Sequence, residues 1–568
     1  MKKRRRADAP RKEKGAVVKR GRHLLRVALV YPNTYGAGMA SLGYQTVYHL
    51  ANEIKNVACE RVFLPDPGSQ KAKIKSVETG LPLDQFDLIL FSISFENDFF
   101  NLVKLLTDAG IPLRSSDRNH LHHPLVVAGG VACFLNPEPI APFMDLFLLG
   151  EAETFLSQFF DLYEGSDSKE SLLATIEENL PGAYVPVKHS PIFYSPRKSP
   201  AFPDHPIQVQ YLSHLEETQT CTRILTAQAA FKDTFLIETL KGCPHGCRFC
   251  TAGFIYRPPR IYPTATILAA MDQAAQDTHK VGLVSSAVLD HPDIHTICSH
   301  GRDLGLELSF ASLRADKLDE KILDLMAQGR VKTATIAPEA GSERMRRVIN
   351  KKLTQSQILT ATRKLVENGI LNLKLYFMVG LPFEEPEDVQ GIVDLALKIK
   401  EVFLETSRAK KKIGTITLSI NPFIPKPCTP FQWVGMVEKK ELEKRLKIIR
   451  EGLKRVPNMK VQTESLKQAR INALLSLGDQ RTADLLETAL EEGWPKTLRA
   501  HGDYLTQVVH APKAQDAPLP WDILNHRLRA SFLKKELHRA EKEKEFKACP
   551  MVPCDQCRIC MAPGKPEE

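Results

Sequence analysis

Three cysteines, Cys243, Cys247 and Cys250, stand in KGCPHGCRFCTAG (241–253), with no fourth cysteine within ten residues on either side. A structural zinc site takes four protein ligands, usually as two pairs on separate turns. An electron-transfer iron–sulfur cluster also normally takes four thiolates. A compact trio therefore points to a metal centre with one position left open. The alternative is a zinc knuckle completed by another ligand such as His245. A second group, Cys549, Cys554, Cys557 and Cys560, has the spacing C-x4-C-x2-C-x2-C. Four thiolates so close together suit a second [4Fe-4S] cluster or one zinc. The succession of short steps favours the cluster, because a single zinc usually draws on two separated turns. The other five cysteines, at 59, 133, 221, 298 and 428, are read as small buried hydrophobes.

These groups belong to a chain of 568 residues, 43% hydrophobic and 25% charged, which is an ordinary globular composition and too long for a single core. Twelve cysteines at this length are no disulfide framework, and their clustering in a reducing compartment argues for metal. No uncharged apolar run reaches the 18 or more residues of a membrane span. The basic start, MKKRRRADAPRKEKGAVVKRGRHLLR, has no apolar segment of a secretory signal behind it, so a cytoplasmic protein is expected. That stretch holds twelve Lys/Arg against two Asp/Glu and accounts for the whole net charge of +10. A basic tail of this kind, assigned to residues 1–23 and expected to be disordered, either neutralises phosphates of a bound RNA or merely solubilises the chain.

The cysteines need elements to position them, and apolar runs alternate with helical patterns along most of the chain. LRVALVY (25–31), DLILFSIS (87–94), PLVVAGG (124–130) and MDLFLLG (144–150) read as buried parallel strands separated by helices. They predict a doubly wound, Rossmann-like domain over 24–165, with ligand-binding loops such as YPNTYGAG and AGGVACF at its strand ends. Residues 166–228 are Pro-rich and irregular, a linker or subdomain. From 229 to 440, six strand-like runs (TFLIETL, KVGLVSSAV, LELSFASL, KTATIAPEAGS, LNLKLYFMVGLP, GTITLSINPFIP) with five intervening helices predict a partial (β/α)6 barrel. The trio follows the first of these strands, at the end where such barrels do chemistry. Residues 441–545 read as charged helices, and 546–568 as a Cys-rich metal-binding tail.

C-x3-C-x2-C on a loop leaving the first barrel strand, with an aromatic Phe249 before the third cysteine, resembles the signature of the radical SAM superfamily. The resemblance implies a [4Fe-4S] cluster held by three thiolates, with the fourth iron left for S-adenosylmethionine (SAM). It extends over about 230–435. PEAGSERMR (338–346) resembles the fourth-strand segment and implies that Glu339 and Ser342 approach SAM. In the same resemblance SLRAD (312–316) implies that Ser312 and Arg314 lie near SAM, MVGLP (378–382) resembles the Gly-Leu-Pro turn ending strand five, and NPFIPKPCTPFQW (421–433) resembles the sixth-strand segment. Where many members carry Gly-Gly-Glu after strand two, this chain has VSSAVLD, so that contact with SAM must be made differently.

The first domain resembles the cobalamin-binding domain that precedes the barrel in a large radical SAM subgroup, and PEPIAPFMDLFLLGEAE (137–153) resembles that subgroup's closing segment. Its first loop, YPNTYGAGMASLG, lacks the cobalt-ligating histidine of Asp-x-His-x-x-Gly. Either cobalamin binds without a protein imidazole or the fold outlived the cofactor. The family resemblance implies reductive cleavage of SAM to a 5′-deoxyadenosyl radical, a one-electron reductant of flavodoxin or ferredoxin type, and, with cobalamin, methyl transfer or a related bond formation on an unidentified substrate. The competing expectation is a non-catalytic iron–sulfur or zinc adaptor docked on RNA.

Overall fold

The structure is a computed structural model that describes residues 12–65, 73–119, 122–164, 166, 168–188, 206–310, 313–328, 331–409, 412–551, 554 and 557. Leu25–Thr34 (β1), Val57–Leu64 (β2), Leu88–Ser92 (β3), Leu125–Gly129 (β4) and Leu146–Leu148 (β5) form a parallel sheet in the order β2-β1-β3-β4-β5, extended by antiparallel Ala183–Tyr184 (β6). Leu42–Glu53 (α1), Asp98–Asp108 (α2) and Leu156–Glu164 (α3) are among the helices that cover it. The continuous apolar runs are explained by the two faces. Along β1, Ala28 and Val30 enter one core while Val27, Leu29 and Tyr31 enter the other, so every position needs an apolar side chain. The strand order reverses between β1 and β3, and the crevice at such a switch point is where doubly wound sheets take ligands.

The second sheet system starts with parallel Thr234–Glu238 (β7), Lys280–Val284 (β8) and Glu307–Phe310 (β9). A Leu313–Ile336 bridge links it to a parallel four-stranded sheet of Thr333–Glu339 (β10), Asn372–Val379 (β11), Thr415–Pro422 (β12) and Met459–Thr463 (β13). Its helices include Glu343–Val348 (α4), Gln355–Glu367 (α5), Pro386–Ala409 (α6) and Lys439–Leu453 (α7). A capping box between Thr354 and Gln357 starts α5. The six expected strands are present and β13 is a seventh, inside the stretch read as charged helices. MKVQT has no continuous apolar run, and as an edge strand it is only partly buried.

The basic N-terminal segment also departs from expectation. Residues 12–23 are placed against the Rossmann-like domain rather than disordered, while 1–11 lie outside the described residues. Glu13–Lys14 pairs antiparallel with Leu225–Thr226. Glu13 and Glu78 flank the Arg61 guanidinium at 2.7 and 2.6 Å, with all three side chains buried. The Lys19 ammonium donates to the carbonyls of Ile54 and Val57. A buried arginine needs such partners, since removing either acid would leave a desolvated charge, and this requirement is invisible in a count of basic residues.

Candidate functional site

The trio loop is tied at its base. Leu240–Lys241 pairs antiparallel with Arg260–Ile261, closing residues 242–259 into one excursion from β7. Gly242 opens it at φ +85°, and a Cβ there would lie 2.7 Å from Tyr256 Cβ, so only glycine fits. Inside the loop, Cys250 N donates to Cys247 O at 3.0 Å. The fully buried Arg248 donates to the carbonyls of Arg347 and Val348 at the end of α4, and to Lys544 O. Its guanidinium also pairs at 3.1 Å with Glu536 on Ala530–Glu541 (α8). The guanidinium thus adds a partner to carbonyls at the helix end and fixes the loop in place.

Cys247 is close enough to Cys243 and Cys250 to raise the pKa of both. Burial, then Cys247 and other neighbours, pushes Cys243 up to about 12 and Cys250 up to about 11. For Cys243 and Cys250 the neutral thiol is the state favoured without a metal, and a bound cation is what makes thiolates there. Among the described residues no three His, Cys, Asp or Glu side chains gather around one point, as a single ion would require. His245 Nε2 is engaged 2.9 Å from Asp290 Oδ2. Burial opposes ionisation of Asp290, but His245 and Lys317 outweigh it and hold its carboxyl below the ordinary range.

A cavity of about 480 Å³ adjoins this loop. Its walls come from the Rossmann switch point (Ser41, Thr46, Ser92, Gly129, Gly130) and from the barrel side (Glu238, Lys241, Gly242, Tyr256, Ser285, Ser286). The size falls within the range of roughly 300–1,000 Å³ typical of ligand pockets. Thr46 Oγ1 is buried on this wall with no hydrogen-bond partner, a polar group that a ligand would satisfy. At the seam Arg260 holds Glu151 in a bidentate pair at 2.7 and 2.8 Å, and Lys241 lies 3.2 Å from Glu238. Burial works against the Lys241 ammonium, yet Glu238, Glu151 and Glu153 together raise its pKa. No histidine lines the cavity among the described residues.

Residues 43–186 match the family described as radical SAM proteins, N-terminal, and residues 237–396 match the radical SAM superfamily. The uncharacterized protein MJ0966 of Methanocaldococcus jannaschii is 32% identical over 471 residues, 81% of this chain and 90% of that protein. This chain belongs to the radical SAM superfamily. It is a radical SAM enzyme, and the family's [4Fe-4S] cluster and SAM fit a loop that presents three thiols. The ribosomal protein uS12 methylthiotransferase RimO of Thermodesulfovibrio yellowstonii is 24% identical over 204 residues, 33% of this chain and 47% of its own. Among solved structures, the radical SAM methyltransferase TsrM from Kitasatospora setae, with cobalamin and a [4Fe-4S] cluster bound, superposes with a TM-score of 0.50 at 13% identity, covering 82% of this chain and 99% of TsrM. That likeness is one of fold.

Around the radical SAM loop the sequence-predicted residues fall into two sets. Glu339 ends β10 beyond a bulge, at φ +66°, and accepts from Lys351 Nζ at 3.1 Å. Lys351 and Glu339 both act electrostatically on Cys250, and Arg314 feels Cys247. Arg314 is held in a bidentate pair with Asp316 at 3.0 Å. Phe249 is partly buried against the core. Ser342, by contrast, caps α4 by accepting from Met345 N at 3.0 Å and donates to Asp388. The glycine beside it has a packing reason too: a Cβ on Gly341 would come within 2.1 Å of Ile392 N on α6. Ser312 lies outside the described residues. Lys351 was missed in the sequence, where KK after a short helix looks like solvated charge, although it is 9% exposed. Cys549, Cys554 and Cys557 lie on the C-terminal segment, which meets the loop where Cys549 N donates to Pro244 O, and Cys560 is outside the described residues. No helix among the described residues is long and apolar enough to cross a membrane.

Proposed function

We propose that this radical SAM enzyme also binds a corrinoid in the 480 Å³ cavity and transfers a methyl group to an acceptor held at the barrel mouth. The carrying observation is the shared wall: the Rossmann switch point and the trio loop, through Gly242 and Tyr256, face the same cavity. In this reading Cys243, Cys247 and Cys250 hold the cluster. Phe249, Ser312, Arg314, Glu339 and Ser342 remain the candidates for SAM contacts, with Lys351 added. Ser41, Thr46 and Ser92 offer hydroxyls to the corrinoid, and the backbone at Gly129–Gly130 allows its close approach. When bound, cluster and SAM supply one-electron bond cleavage and the corrinoid supplies a methyl carrier.

The chain's own part is to orient and exclude water. Arg248 fixes the loop, Arg260–Glu151 closes the seam, and Lys426 on the loop after β12 pairs with Glu96 of the Rossmann-like domain at 2.5 Å. An external one-electron reductant is required, as for the family. Among the described residues nothing favours an RNA-docking adaptor: within the basic segment, Glu13, Lys14, Val17 and Lys19 make contacts with the chain itself.

Anaerobically reconstituted protein tests this reading through SAM cleavage and retained hydroxocobalamin. Wild type is expected to do both, Cys247→Ala to retain corrinoid with cleavage at background, and Thr46→Phe to lose corrinoid while keeping its iron. Corrinoid retention unaffected by Thr46→Phe would remove the cavity from the proposal. Cleavage undiminished in Cys247→Ala would remove the trio.

A further inference from the structure

The C-terminal segment leading to Cys549 and the trio loop share one hydrogen-bonded shell. Cys549 N donates to Pro244 O at 2.7 Å, so the first tail cysteine is one hydrogen bond from the residue following Cys243. Phe546 N donates to Asn350 Oδ1 at 2.9 Å, and Asn350 Nδ2 donates to Gly246 O at 2.9 Å. Arg248 reaches Lys544 O from the trio loop at 2.6 Å. Cys549 and Cys557 are buried, at 6% and 4% exposure.

A second observation concerns Arg257, which is only 4% exposed. Its Nε donates to Gly253 O, and its guanidinium lies 5.4 Å from the Phe254 ring and 5.5 Å from that of Phe532. Nη2 has no hydrogen-bond partner, and among the described residues no carboxylate pairs with the group. A Cβ built on Gly246 would lie 3.4 Å from that Nη2 and 3.8 Å from Phe546, so the free N–H group lies at the seam between loop and tail. Cys549 feels the charge of Arg257, Cys557 and Cys554. A buried cation without an anion is costly, and four thiolates on a metal centre would supply the missing negative charge.

We propose that Cys549, Cys554 and Cys557, with Cys560 as the fourth ligand by spacing, hold a second iron–sulfur cluster seated against the trio loop, with Arg257 as its counter-cation. The centre takes one electron at a time from a low-potential flavin or iron–sulfur protein. The donor is oxidised by one electron, the centre is reduced by one, and no bond or proton moves. Arg257 favours the reduced, more negative state. The inference rests on the radical SAM reading only for the iron held by the trio.

The test uses full-length protein, reconstituted anaerobically with iron and sulfide, assayed for iron, sulfide and zinc, and titrated redox-wise under electron paramagnetic resonance. About eight irons are expected in wild type. About four should remain in Cys554→Ala/Cys557→Ala, on the trio, and about four in Cys247→Ala, on the tail. Arg257→Gln should keep its iron and move one of the two reduction steps to more negative potential, with Arg257→Lys restoring it; a merely structural arginine would leave the potential where it is. Zinc in the tail, iron unchanged in the double variant, or potentials unmoved in an iron-replete Arg257→Gln would overturn the proposal. Loss of the trio's iron alone would count against the proposed function and leave the tail centre standing.

Discussion

The two sheet systems are parallel apart from the short edge strand β6, yet their strands are buried in opposite patterns. In β3 and β4, Leu88–Phe91 and Leu125–Ala128 are buried without a break. In β11 and β12 the pattern alternates: Leu373, Leu375, Phe377, Ile416, Leu418 and Ile420 are buried, while Lys374, Tyr376, Met378, Thr417, Ser419 and Asn421 between them are partly exposed. The first sheet is covered on both faces, so a ligand can reach only its strand ends. The second is covered by helices on one face and presents a largely polar row on the other, with Lys374 Nζ 4.8 Å from the Tyr376 ring. One sheet is filled on both faces and the other leaves one face partly exposed.

Substitutions can break that comparison. Ile89→Ala, at a fully buried position of β3, should cost about 2–5 kcal/mol through lost burial and the cavity left behind, read from denaturant midpoints at constant slope. A loss below about 1 kcal/mol would mean the Rossmann faces are looser than their burial implies.

An intermediate effect is expected where the two halves meet. Glu138 accepts from Tyr184 and Gln480, and burial still pushes its carboxyl up to about 8 from an ordinary 4.5. The buried form is neutral, so its contribution to stability is full below about pH 4.5 and is lost as pH rises to about 8. Glu138→Gln should therefore gain on wild type across that window, seen as a flatter melting-temperature profile; parallel profiles would show that the carboxylate is already ionised in the fold.

The smallest change sharpens the contrast from the other side. Ser419→Ala, on the inner face of β12, should shift stability by no more than about 0.5 kcal/mol while lowering turnover once an acceptor is known. A stability loss matching that of Ile89→Ala would show that this face is core.

Much of this protein was settled by short-range pattern. Continuous apolar runs specified the doubly wound sheet because a two-faced sheet needs an apolar side chain at every position, and six barrel strands were legible for related reasons. The trio was legible because three cysteines on one loop are a local property of the chain. What the sequence left undecided depends on pairs far apart in it. MKVQT becomes a strand only because β12 offers an edge, and Arg61 needs Glu13 across 48 positions. Ser342 is used for a helix cap and Asp388, while Lys351 is drawn in beside the trio. Cys549 meets Pro244, and among the described residues Arg257 is left beside it without a carboxylate. Periodicity and spacing report what a segment can bury or ligate; which distant segment it meets, and which charges are left to balance, is fixed only when the chain closes on itself.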